Sequence, residues 1–292
     1  MARRRLLVLY SLGREYRSMS AWPACAACSL LLQALSPAGY YVLSSLLVPC
    51  VVLECAARHA RPTAAHAAGA ALGTVLCIGV AMSVCLHRYF AHAAFRTSRA
   101  LQFALGLGGC LAFQGDPLWW AVMHQRHHKH CDVEGDPHSS ARQGVLYAVV
   151  GWMANPGNYR LQPADYATLD AAACTAEMHA LRHLHPLVHV LALAGAQHYA
   201  GYAAMVYCVL LPMWLARFIT LLFNHEFHQG RPAGRSSCLA NDATRWLAIA
   251  VGESQHADHH RHPRRARRPE PDPPWHATVR WLAAAGLVWD CR

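Results

Sequence analysis

Apolar residues gather into several stretches close to the roughly 20 positions an α-helix needs to cross a hydrocarbon core. Four of them, at about 38–56, 66–86, 184–199 and 201–223, predict two helical hairpins. The first is closed by the polar turn around Arg58, His59 and Arg61, and the last span is interrupted by Pro212 and Arg217. The stretch 22–35 is apolar but short and is cut by Pro37, which fits an interfacial or buried helix better than a crossing. Polar segments fill the rest. The expected organisation is an N-terminal segment 1–37, a hairpin 38–86, a polar segment 87–183, a second hairpin 184–223 and a polar segment 224–292. The fold class is therefore an all-α integral membrane protein, with about four spans beneath a helical cap.

Composition agrees: 54% of residues are hydrophobic and only 14% are charged. The net charge of +10 comes almost wholly from arginine, since Lys129 is the only lysine. Basic residues beside apolar runs point to the anionic face of a membrane rather than to nucleic acid. Met1 to Arg5 is basic, but the chain turns polar again at Ser11, so the start does not read as a cleaved signal peptide. Of the twelve cysteines many lie inside apolar runs, where a thiol behaves as a small hydrophobe. Cys25 and Cys28 form a lone CxxC without a second pair, and no disulfide framework is expected.

Histidine changes the picture, with 21 in the chain. His87 and His92 form an HxxxxH at the end of an apolar run, and five residues along an α-helix turn the two imidazoles about 140° apart. Only a helix ending between them, or a site they flank, lets both serve one centre. His124, His127 and His128 form an HxxHH whose spacings of three and four share a helical face, and His256, His259 and His260 repeat it. Eight imidazoles suit iron, zinc or copper, and they exceed what one ion accepts, so two metals are implied. Two spans before His87 and two between His128 and His256 put all three groups on one side of a bilayer. Arg3, Arg4, Arg5, Arg14 and Arg17 then lie on that side too, which the excess of positive charge marks as cytoplasmic.

HxxxxH, HxxHH and HxxHH in this order resemble the stearoyl-CoA desaturase-like membrane acyl desaturases. The likeness continues through Phe95-Arg96-Thr97-Ser98, residues 114–138, the glycine lead-in Gly252-Glu253 and Gly286-Leu287-Val288-Trp289-Asp290. It implies a non-haem di-iron site with O2 as co-substrate, and a cis double bond, Δ9 by family likeness, introduced into a long-chain acyl substrate such as acyl-CoA. An NxxxH supplies an asparagine and a ninth histidine in that family. Here Asn224 and His228 fit, while His225 is an addition off their face. Gln114, Trp120 and Thr220 match positions that line the bend of the family's acyl tunnel.

Asp132, Asp136 and Asp258 are candidates to accept the free N–H of metal-bound imidazoles, with helix caps and surface acids as the plain alternative. His130, His138 and His262 lie outside the ligand spacing and read as residues at the surface or behind the ligands, and His179, His183, His185 and His189 read as an interfacial histidine-rich segment. The run Arg261, Arg264, Arg265, Arg267 and Arg268 reads first as a membrane-facing surface. No GxGxxG or HPGG segment is present, so electrons must come from a cytochrome b5-type protein or a ferredoxin. The expected location is the endoplasmic reticulum in a eukaryote and the plasma membrane in a bacterium. A di-iron hydroxylase or ketolase is the rival within the enzyme class. A histidine-rich metal transporter is the rival outside it, but that would carry its imidazoles inside the spans.

Overall fold

The computed structural model describes residues 21–231, 237–242 and 252–292, so the N-terminal arginines fall outside the described residues. Helix α1 (Ala21–Leu35) is followed by α2 (Pro37–Arg58), whose first turn is capped by Ser36 Oγ accepting from Gly39 N at 3.0 Å. Helix α3 (Ala64–Ala91) returns, and α2, α3 and the later α7 (Tyr202–Glu226) are each long and apolar enough to cross a membrane. Only 17% of the apolar window of α2 is buried, and Leu46, Leu53 and Leu72 are exposed, as lipid-facing side chains must be.

The expected span at 184–199 differs. It lies inside α6 (Ala176–Ala200), which at 25 residues is long enough, about 37 Å at 1.5 Å per residue. It is too rich in polar side chains to join the other three, and His185 and His189 are turned inward rather than lying at an interface as expected. His189 Nε2 donates to Cys110 O at 2.8 Å, and Tyr40 Oη donates to His189 Nδ1 at 2.9 Å. The single residue Gly201, with φ of 86°, joins α6 to α7, a left-handed turn that glycine makes without strain. Helix α1 lies against α6 and α2 and, at 15 residues, is too short to cross.

The polar cap is built from α4 (Arg99–Cys110), α5 (Pro117–His130), α8 (His256–Arg261) and the two-residue ladder of β1 (Arg96–Thr97) with β2 (Val288–Trp289). The ladder is antiparallel, pairing Arg96 with Trp289 and Thr97 with Val288. The main core, including Leu86, Phe90, Trp119 and Met123, packs α3 against α4 and α5 directly beneath the histidines.

A candidate dinuclear metal centre

Helix α3 explains how His87 and His92 meet. Its second half, Cys77–Ala91, is wound with wide i→i+5 turns, and His92 N donates to His87 O at 3.1 Å. Five residues then make close to one full turn, so the divergence expected of an α-helix is removed; such widened turns recur at functional sites. Helix α5 starts at Asp116, whose Oδ1 accepts from Trp119 N at 2.9 Å, and it presents His124, His127 and His128 from its last two turns.

Nine imidazoles converge. In the first cluster, Nε2 of His92, His124, His128, His259 and His87 follow one another at 2.9, 3.0, 3.0 and 3.1 Å. In the second, His256 Nε2 stands 3.2 Å from His228 Nε2 and 3.1 Å from His260 Nε2, and the His127 ring lies 4.6 Å from that of His228. His128 and His260 stack at 4.3 Å and join the two clusters. Asn224 lines the same cavity, its Nδ2 donating to Ala148 O at 2.9 Å. His225 turns away to Ser140 Oγ and Gln229, so of the two histidines beside Asn224 it is His228 that enters.

Carboxylates lie behind the rings. Asp136 accepts from His127 Nδ1 at 3.0 Å and Asp132 accepts from His228 Nδ1 at 2.9 Å. With the proton held on Nδ1, both rings turn a bare Nε2 lone pair inward. Lone pairs facing one another at about 3 Å in a buried pocket repel unless a cation lies between them, and that is the fit of these residues to metal ions. Burial first, and neighbouring imidazoles or Arg268 second, push His92, His124, His127, His128, His259 and His260 well below the ordinary histidine range. Burial brings His256 to about 4. The neutral, ligating form is thus the one the site keeps. Burial pushes Asp132 up, but hydrogen bonds from His228, Leu239 N and Ser139 Oγ outweigh it and hold the carboxyl below its usual range.

Several expectations need correction. Asp258 takes no part: it pairs with Arg265 at 2.8 Å on the partly exposed side of α8. Arg268, expected on a basic surface, is buried and binds Glu253, whose Oε1 lies 2.9 Å from His87 Nδ1 and whose Oε2 lies 3.7 Å from His256 Nδ1. Glu253 thus serves two histidine groups, a role its place in the sequence does not disclose. Arg88 and Asp272 form a second buried pair at 2.6 Å, and Arg88 also donates to Ala266 O at 2.8 Å. At Gly252, φ is 67° and a Cβ would stand 2.7 Å from both Arg88 Nη2 and Asp272 Oδ1, so only glycine lets the chain pass. His138, expected near the surface or behind the rings, is buried and stacks on His127 at 4.4 Å. One cysteine pair departs from the hydrophobic reading: Cys131 and Cys238 are disulfide-bonded, while the other ten are free.

A cavity opens beside the clusters, its walls including Met82, Trp120, Trp152, Leu221 and Phe223. Gln114, Trp120 and Thr220 meet at its side: Gln114 Nε2 donates to Thr220 Oγ1, and Trp120 Nε1 donates to Gln114 Oε1 at 3.2 Å. An apolar pocket with a few fixed polar groups at a cluster of imidazoles suits a flexible hydrocarbon chain.

The sequence is similar to those of known proteins. The chain is 41% identical over 87 residues to a hex-5-enoyl-[acyl-carrier protein] acetylenase of Moorena producens, covering 26% of this chain and 27% of that protein. It is 29% identical over 202 residues to an sn-2 palmitoyl-lipid 9-desaturase of a Nostoc species, covering 64% and 67%. It is 26% identical over 202 residues to a probable acyl-CoA desaturase of Schizosaccharomyces pombe, covering 63% and 40%. The chain therefore spans less than two thirds of the length of the first and third of these relatives. The fatty acid desaturase family matches residues 62–282, from the first hairpin through all three histidine groups, and the chain belongs to that family.

Proposed function

We propose that the chain is an O2-dependent desaturase that introduces a cis double bond, Δ9 as the first reading, into a long-chain acyl-CoA at a di-iron centre. The observation that carries this is the convergence of nine imidazoles in two clusters beside an apolar cavity. His87, His92, His124, His128 and His259 would hold one iron, and His127, His228, His256 and His260, with Asn224 beside them, the other. Bound there, the irons would supply the oxygen activation that takes two hydrogens from adjacent methylenes, a task no side-chain acid or base performs on an unactivated C–H bond.

The protein's own part is placement. Asp132 and Asp136 fix the orientations of His228 and His127 and keep their inward nitrogens free of a proton, while Glu253 and Arg268 stand behind His87. The hydrogen-bonded trio Gln114, Trp120 and Thr220 bends the acyl chain, so regiochemistry follows from where the chain kinks. Methylenes alone discriminate weakly, at about 1–3 kcal/mol each. Helix α6 makes the fourth crossing, returning the chain to the far side before α7 brings Asn224 and His228 to the site. The metal face is cytoplasmic, and a cytochrome b5-type protein or a ferredoxin delivers electrons there. The membrane is the endoplasmic reticulum in a eukaryote and the plasma membrane in a bacterium.

Expression in a desaturase-deficient host, with fatty-acid analysis by mass spectrometry, tests the reading. A new mid-chain cis double bond is expected, and its absence from cells that hold the iron-loaded protein overturns it. A second reading, a shorter acyl chain on a carrier protein, is favoured by the 41% identity to the acetylenase. Offering acyl-CoA and acyl-carrier-protein substrates side by side to isolated membranes decides between them.

A further inference from the structure

Behind the second cluster lies a pair of sulfurs that the desaturase chemistry does not use. Cys131 follows the last residue of α5 and is buried, while Cys238 belongs to the segment 237–242 and is partly exposed. They are disulfide-bonded across 107 residues of sequence. Cys131 Sγ lies 3.8 Å from His228 Nδ1, and Cys238 Sγ lies 3.4 Å from His260 Nδ1. The bridge therefore sits against the outward nitrogens of two rings of one cluster. The segment it ties down reaches every neighbouring part of the site. Leu239 N donates to Asp132 Oδ2 at 2.9 Å, Asn241 N donates to Phe227 O at 2.9 Å, and Asp242 Oδ1 accepts from Ala257 N at 3.0 Å.

We infer that Cys131 and Cys238 form a reversible thiol–disulfide latch that holds the segment 237–242 over the second metal position and so controls how firmly that metal is kept. This rests on the di-iron reading and on the cytoplasmic placing of that face, where disulfides are transient and serve sensing or catalysis rather than structure. Opening is exchange with a small thiol of the glutathione class. Its thiolate attacks Cys238, the more exposed sulfur; the Cys131–Cys238 bond breaks, and Cys131 leaves as a thiolate and takes up a proton. A second small thiol attacks the mixed disulfide and frees Cys238, so two electrons pass to the pair and the two small thiols end as one disulfide. Closing is the reverse. Once open, hydrogen bonds alone retain the segment, and the sulfur beside His260 becomes a thiol. Partners of this kind behind a ligating ring change metal affinity by about 10–100-fold.

The test uses the full chain in detergent, equilibrated in glutathione buffers of graded oxidation, then trapped with an alkylating reagent and mapped by mass spectrometry. Exposed, free Cys291 is the internal control. Iron release to a chelator is followed in the same samples. Cys131 and Cys238 are expected to lose alkylation together as the buffer becomes oxidising, and iron release from the reduced protein is expected to be about tenfold faster. Cys238→Ser should release iron at the fast rate in every buffer, and if that variant fails to accumulate, the reduced and oxidised wild-type samples decide alone. Labelling of the pair that parallels Cys291 throughout, or release rates equal in both buffers, overturns the latch while leaving the di-iron reading intact. A chain that holds no iron in either buffer overturns the di-iron reading, and the latch with it.

Discussion

Replacing Asp132 by asparagine isolates what a carboxylate behind an imidazole contributes. Asp132 accepts from His228 Nδ1, Leu239 N and Ser139 Oγ, all within 2.8–2.9 Å. Its φ is 60°, a left-handed conformation that asparagine tolerates and that would add about 1–2 kcal/mol of strain to an alanine variant. In Asp132→Asn the amide oxygen takes the place of Oδ2, which accepts from both His228 Nδ1 and Leu239 N, and the NH2 group faces Ser139 Oγ in the place of Oδ1. The His228 tautomer is kept, but a neutral acceptor now holds its Nδ1 proton, so the inward Nε2 is a less basic ligand. The expected loss is about 10–100-fold in iron affinity, or about 1.4–2.7 kcal/mol. Downgrading two charge-assisted hydrogen bonds to neutral ones costs roughly 2 kcal/mol of stability besides. Competition against chelators of graded strength measures the first and denaturant unfolding the second. An Asp132→Asn protein that keeps iron within about twofold of the wild type would refute the argument that this carboxylate's charge strengthens the ring as a ligand.

Three further outcomes follow from the same geometry. His127→Ala should abolish product and lower iron from about two per chain while the protein stays in the membrane, whereas exposed His183→Ala should be nearly silent; equal losses in iron analysis would place the centre elsewhere. Thr220→Ala combined with Trp120→Phe removes both hydrogen bonds to Gln114 and should shift double-bond position or chain-length preference before iron content falls; unchanged products at full activity would take these residues out of the substrate path. In the metal-free chain, buried His256 protonates near 4 when folded and near 6.5 when unfolded, so the unfolded state binds the extra proton. Each such histidine should lower unfolding free energy by about 1.4 kcal/mol per pH unit as pH falls from 6.5 toward 4; denaturant titrations that stay flat across that window would contradict it.

The sequence disclosed the three histidine groups because their members are close neighbours in the chain, and spacings of three and four translate directly into a helical face. It disclosed the first hairpin and α7 for a similar reason: uninterrupted apolarity is local. The span expected at 184–199 is not among the three helices long and apolar enough to cross, because the histidines of α6 depress its hydropathy although the helix has the needed length. The widened turns of α3 were invisible, since backbone winding leaves no mark in residue type. Glu253 and Arg268 were missed as partners of His87 because the contacts join residues more than 160 positions apart. Asp136, nine residues from His127, was legible; Asp258, two residues after one box histidine and one before the next, misled because side chains one or two apart on a helix do not face each other.

The way the cap is closed also fixes the order in which the protein can be made. His87 meets His259 across 172 residues, and Arg292 N donates to Ala94 O while its carbonyl accepts from Ala266 N. While the ribosome is still adding α8, the first two histidine groups are already in the membrane with their inward nitrogens unmatched. Completion of either cluster therefore follows the synthesis of α8. A nascent chain stalled before residue 256 would hold six of the nine imidazoles and neither cluster complete, and whatever delivers a metal would have to find the protein after α8 has emerged.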